Sequence, residues 1–174
     1  VTAEPVTDRS RWGETRSRTV TWHDPAPGTA VGLSMPGLDY LRAMRDGALP
    51  PPPIAALMQT EIVEAEHGRV VFTCSPDESV YNPIGSVHGG LVCTLLDSVL
   101  GCALHSTLPQ GKGYTSVEIK VNYLKAVRLT SGLLTATGSV VKSGARVGFT
   151  EGSITDEYGA VVATASSTLL IFDI

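Results

Sequence analysis

Residues 90–108, GLVCTLLDSVLGCALHSTL, form a long and mostly apolar run that carries a single acidic side chain, Asp97. A segment of this length without period-2 alternation predicts a helix of about 17 residues. Projected at about 100° per residue, Leu91, Val92, Leu95, Leu96, Val99, Leu100, Ala103 and Leu104 cover more than half of the circumference. Such a helix has to be enclosed on several sides, and the rest of the chain must supply the enclosure. What remains is a narrow stripe of Gly90, Thr94, Asp97 and Gly101, spaced four, three and four residues apart. Its small members leave room for another backbone or a slim ligand beside one carboxylate.

Strand signals surround this helix. QTEIVEAE and GRVVFTC flank His67-Gly68, a tight reversal, and predict a hairpin. After the helix, residues 115–123 alternate: Val117, Ile119, Val121 and Tyr123 point one way, Ser116, Glu118, Lys120 and Asn122 the other. Two further strands, 132–142 and 146–155, flank the turn SGA, and a last one, 160–172, follows the turn DEYG. Strand, strand, long helix and four strands make an α+β protein, with a largely antiparallel sheet laid on one hydrophobic helix.

The 174 residues suit one core domain, here 54–174, preceded by additions. Residues 1–18 read as a solvated, mobile arm rich in arginine, and 19–53 as an N-terminal extension. Within the extension, Thr19 to Trp22 is a short extended piece and DPAPG a turn. Leu38, Leu41 and Met44 mark a short amphipathic helix that packs on a dimer or caps a pocket, and Pro50 to Pro53 form a rigid extended connector. With 43% hydrophobic and 17% charged residues the chain is an ordered globular protein. A net charge of −4 gives no footing for nucleic acid. No stretch approaches the roughly 20 apolar residues of a membrane span, and the first residues lack a secretory apolar run, so no membrane and a cytoplasmic location are expected. Cys74, Cys93 and Cys102 lack metal-ligand spacing and read as buried free thiols; no metal is expected.

Two features carry chemistry. A carboxylate within an apolar helix costs several kcal/mol unless it is paired or hydrated. Asp97 is therefore either a structural residue bonded to nearby backbone, or a general base or nucleophile lining a pocket. At the helix start, His88-Gly89-Gly90 strips side chains from the first turn, leaving bare N–H groups and the positive end of the dipole, suited to an anion or a carbonyl oxygen gaining charge. Glycines before a helix also serve plain loops. Gly89 and Asp97 lie eight residues apart, about 12 Å along the axis, whereas attacking and polarising groups must each come within roughly 3 Å of one carbon. If both act in one reaction, they do so from different chains. A twofold dimer with antiparallel helices would set Gly89 of one copy opposite Asp97 of the other.

The stretch from Asn82 through Ser86-Val87-His88-Gly89-Gly90, then Leu95-Leu96-Asp97, then residues 115–123 (TSVEIKVNY), resembles hotdog-fold acyl-coenzyme A thioesterases of the phenylacetic-acid-pathway type. The resemblance runs from about Ile54 to Phe172. It implies a sheet wrapped around a central helix, hydrolysis of an acyl-CoA thioester, homodimers that often pair into tetramers, and no cofactor beyond the coenzyme A of the substrate. It further implies that the Gly89 N–H and the Asn82 side chain hold the thioester carbonyl, with His88 shaping the loop or bonding near that carbonyl and Gly90 beside it. Asp97 of the partner subunit would attack or activate water, and Ser116 would orient that water. By strand parity Ser116 belongs to the polar face, so reaching Asp97 requires a twist, a bulge or the neighbouring subunit. The phosphates of coenzyme A call for cations, for which Lys142 and Arg146 beside the SGA turn are the candidates. The acyl end is expected in a tunnel lined by the helix and residues 50–58.

A non-catalytic acyl-CoA sensor on the same fold is the alternative, although residues 1–50 offer no paired helices of the DNA-binding kind. A hotdog dehydratase is disfavoured because position 102, four residues beyond the one after Asp97, is Cys and not His. A Ser-His-Asp hydrolase lacks its G-x-S-x-G elbow.

Overall fold

The computed structural model of the chain describes residues 9 to 174. The first half of the expected arm, residues 1–8, lies outside the described residues. Six strands form one antiparallel sheet: β1 (Thr60–Glu66), β2 (Arg69–Cys74), β3 (Lys112–Tyr123), β4 (Leu134–Ser143), β5 (Val147–Thr155) and β6 (Val161–Asp173), in the order β1-β2-β4-β5-β6-β3. Four helices accompany them: α1 (Pro25–Gly32), α2 (Gly37–Arg45), α3 (Pro53–Met58) and α4 (Gly89–His105). The α4 helix links β2 to β3, and so carries the chain from near one edge of the sheet to the other. This is the wrapped-helix arrangement expected from the resemblance.

All eight large or medium apolar residues projected around α4 are buried. The sheet approaches most closely where its helix-facing positions are small. A Cβ on Gly138 would lie 2.5 Å from the carbonyl oxygen of Val99, and one on Gly152 would lie 3.0 Å from Leu100 Cδ2. These two glycines are register partners in β4 and β5. Ala136, Ala163 and Ala165 continue the small-residue surface. At these positions bulk on the helix meets space on the sheet, while Val70, Phe72, Leu134 and Ile154 fill the core around them.

The β1–β2 hairpin turns at His67-Gly68, where Gly68 has φ 79°. The α2 helix buries Leu41 and lies against β1, with Arg42 Nε donating to the Ala65 carbonyl at 3.2 Å. Two expectations change. DPAPG is not a turn but the start of α1: the Asp24 side chain caps Ala26 N at 3.0 Å, and prolines are tolerated in a first turn whose N–H groups need no helical partner. The proline connector ends one residue early, because Pro53 opens α3 as its first residue. Residues 19–22 pair with no strand. From Arg16 on, the arm is held to the loop after β2. Arg16 pairs with Glu78, and Arg18 reaches Asp77 at 3.0 Å and the Leu57 carbonyl at 2.8 Å. No described helix is long and apolar enough to cross a membrane.

Candidate active site

The loop before α4 is built by Asn82. Its Oδ1 accepts from Ile84 N at 3.1 Å and Ser86 N at 3.2 Å, and its Nδ2 donates to Ser86 Oγ at 2.9 Å. One amide proton of Nδ2 has no partner among the described residues; the rest of the side chain shapes its own loop. His88 is the N-cap of α4: its Nδ1 accepts from Gly90 N at 2.8 Å, which leaves the neutral ring protonated on Nε2. Gly90 is thereby occupied. Leu91 N bonds the His88 carbonyl, and Gly89 N–H has no partner among the described residues. Of the first-turn donors, Gly89 is the one left to receive an oxygen. Tyr123 covers the other side of this residue: a Cβ on Gly89 would be 3.2 Å from its ring, and its O–H donates to the Gly89 carbonyl at 3.1 Å. Tyr123 was expected only as an apolar strand residue.

Eight residues along α4, Asp97 is partly buried, and Ser116 Oγ donates to its Oδ1 at 2.8 Å. Strand parity alone would have turned Ser116 away. The β3–β6 register slips between Ser116 and Glu118, so Val117 is an extra residue in a β-bulge. The bulge swaps faces: Tyr114 and Ser116 join Ile119, Val121 and Tyr123 on the helix side. Of the three routes open to Ser116, the bulge is the one used, and within one chain. The second carboxylate oxygen of Asp97 has no hydrogen-bond partner among the described residues.

Asp97 and Ser116 stand in the wall of a cavity of about 440 Å³. Ser98, Cys102 and Tyr114 complete that wall, with Ile62 and Phe72 from the hairpin. The opposite side comes from the N-terminal extension: Met44 and Arg45 of α2, Pro51, Pro52, and Ile54 and Ala55 of α3. A cavity thus lies between the helix and residues 51–55, within the region where the tunnel was expected, and α2 lines it as well. Burial pushes the Cys102 thiol up to about 12, so it stays protonated at neutral pH and is no nucleophile. Burial, with Cys102 and Asp97 nearby, also raises the Tyr114 hydroxyl well above its ordinary value. Among the described residues no group of His, Cys, Asp or Glu is arranged to hold a metal ion.

Lys142 and Arg146 lie elsewhere. They are exposed and flank the β4–β5 turn, which meets the far end of α4 through Thr107 Oγ1 on Ser143 Oγ at 3.3 Å and Leu104 beside Gly148. Neither lines the cavity. The structure thus gathers Asp97 with Ser116, and Asn82 with His88, Gly89 and Gly90, into two clusters about 12 Å apart along one helix. Tyr114 was not foreseen; the signal for it was Gly101, the gap in α4 that its ring fills.

Comparison with known proteins agrees with this architecture. Residues 84–163 match the family model of the thioesterase superfamily. Over 108 residues the chain is 31% identical to human acyl-coenzyme A thioesterase 13, an alignment covering 62% of this chain and 76% of that protein. A hypothetical thioesterase protein from Streptococcus pneumoniae, solved with coenzyme A, is 30% identical with TM-score 0.60, over 66% of this chain and 86% of that one. A phenylacetic acid degradation-related protein from Ralstonia eutropha is 25% identical with TM-score 0.69, over 75% and 98% of the two chains.

Proposed function

The chain belongs to the thioesterase superfamily, and from that premise we propose that it hydrolyses acyl-coenzyme A thioesters at two equivalent sites, each shared between two copies. The carrying observation is the Asp97 carboxylate, held by Ser116 in a cavity wall with its second oxygen unpartnered among the described residues, while the nearest bare helix donor on the same chain is out of reach. An antiparallel partner supplies that donor.

In this reading the thioester carbonyl oxygen accepts the Gly89 N–H of one subunit, with the free amide proton of Asn82 as a second donor. The positive end of α4 favours the oxyanion as it forms. Asp97 of the other subunit takes a proton from water, whose oxygen bonds to the acyl carbon. The C–S bond then breaks, and the coenzyme A thiolate leaves and is protonated. Asp97 can alternatively attack the carbon itself and give an anhydride that water opens. Ser116 keeps the carboxylate, and any water on it, in one orientation. His88 acts through Gly90, by holding the helix start in shape.

The same pairing gives Lys142 and Arg146 a task. Leu104 and Gly89 are about 22 Å apart along α4, so the β4–β5 turn is remote from its own helix start. In an antiparallel pair it would flank the partner's helix start, where two cations suit the phosphates of coenzyme A.

The test is a panel of aryl- and fatty-acyl-CoAs with a thiol reagent. Release of coenzyme A by the unaltered protein, lost in Asp97→Ala while acyl-CoA binding persists, is the expected result. Binding without any turnover in the unaltered protein would overturn it in favour of a non-catalytic acyl-CoA sensor.

A further inference from the structure

Part of the cavity wall is an aromatic ring with a specific seat. Tyr114 lies across Gly101 so closely that a Cβ there would be 2.6 Å from its Cε2 and 2.8 Å from its hydroxyl oxygen. One turn further along α4, His105 stands with its ring centroid 5.3 Å from that of Tyr114, and Tyr40 of α2 stands 6.0 Å beyond His105. Tyr114 and Cys102 stand together in the cavity wall. The phenol is thus held against α4 at Gly101 and His105, and the bulge at Val117 is what turns it inward.

We propose that Tyr114, seated on Gly101, is the floor of the acyl cavity and restricts the enzyme to compact acyl groups, a single ring or a medium chain, excluding long chains. The inference rests on reading this cavity as the acyl site. Its basis is volume and direction. At about 30 Å³ for each water-sized group, the cavity of about 440 Å³ holds about 15 non-hydrogen atoms, ample for a ring or medium chain and short of a full hexadecanoyl group. Beyond Tyr114 the way is filled by His105 and Tyr40, so a longer chain has no path while the phenol is in place. Tyr114 takes no part in proton transfer here; it sets specificity by shape.

The seat makes two opposite changes available. Tyr114→Ala removes the floor and deepens the cavity. Gly101→Ala leaves the ring but pushes it off α4 into the cavity, making it shallower. With acyl-CoAs from butyryl to hexadecanoyl, the ratio of kcat/KM for long against short chains should rise at least tenfold in Tyr114→Ala and fall at least tenfold in Gly101→Ala, a scale set by the roughly 10- to 200-fold effect of one methylene in an apolar pocket. Tyr114→Phe, which keeps the shape, should leave the ratio within about twofold. A residue that only stabilises the fold would lower kcat at every chain length and leave the ratio alone. Should Tyr114→Ala fail to fold, Tyr114→Leu with Gly101→Ala gives the same pair of opposite shifts. The floor is refuted if the ratio stays within about twofold in both variants, or moves the same way in both. Calorimetric binding of the same acyl-CoAs to Asp97→Asn, with and without each change, separates the two levels. Opposite shifts in binding without turnover in the unaltered protein would retain the floor and discard the hydrolase. Turnover with an unmoved chain-length preference would do the reverse.

Discussion

Asp97 and Ser116 are 19 residues apart in sequence and 2.8 Å apart in space. A hydroxyl donating to one carboxylate oxygen leaves the other to act, and fixes the rotamer from which it acts. Ser116→Ala should therefore lower kcat by about tenfold with little change in KM, and Ser116→Thr should recover part of the loss. An unchanged kcat in steady-state assays would remove Ser116 from the site. The thiols give a separate prediction at this scale. Burial lifts Cys74 from 9.0 to about 11 and Cys102 from 9.0 to about 12. Above about pH 9 the unfolded chain sheds these protons while the folded chain keeps them, so unfolding is favoured as pH rises. Their contribution is whole below about pH 9 and is lost progressively as pH climbs toward about 11 to 12. Urea midpoints measured from pH 8 upward should fall with pH, and the fall should be shallower in Cys102→Ala.

At the scale of elements, α4 works because the sheet makes room for it. Gly138 faces the carbonyl of Val99, a backbone atom that cannot swing aside as a side chain can. Gly138→Ala should destabilise the fold by about 1–3 kcal/mol, the range for overpacking a filled core, read as a lower denaturant midpoint at unchanged slope. A midpoint equal to that of the parent protein would mean that helix and sheet are not in close contact there. The arrangement also explains the position of the carboxylate. Apolar residues on α4 meet β2, β4, β5 and β6, and its stripe of Gly90, Thr94, Asp97 and Gly101 faces outward or toward β3. The α2 and α3 helices then roof the space left beside Asp97.

On the scale of the whole molecule, the sheet ends in β3, an edge strand of 12 residues whose outer side pairs with no strand among the described residues. Long open edges are templates for another strand. Val117, Tyr123 and Leu124, near that edge, are exposed at 60%, 57% and 59%. Both features suit the second copy that the proposed chemistry requires. Mixing Asp97→Ala chains with Gly89→Pro chains, each inactive alone, should restore activity in hybrid dimers that hold one intact site. After verified subunit exchange, up to about a quarter of parental activity is the expected scale, from half of the chains in mixed pairs with one of two sites whole. No recovery would reject the shared site.

Sequence and tertiary structure divided the work along a physical line. Helix and strand periodicities are local, so the lengths and order of α4 and the six strands were legible, as was the oddity of Asp97 among apolar neighbours. Bare glycines at a helix start are local too, which is why Gly89 could be picked out. DPAPG misled because proline breaks helices only beyond the first turn. Only the folded chain decided what faces Asp97. The bulge at Val117 reversed the parity of β3, bringing Ser116 and Tyr114 inward, and that slip is settled by β3 pairing with β6 while packing on α4. The use of Asn82 as a loop clasp, the seat of Tyr114 on Gly101 and the roof from α2 and α3 likewise depend on partners distant in sequence, since steric fit is a property of pairs and periodicity a property of segments.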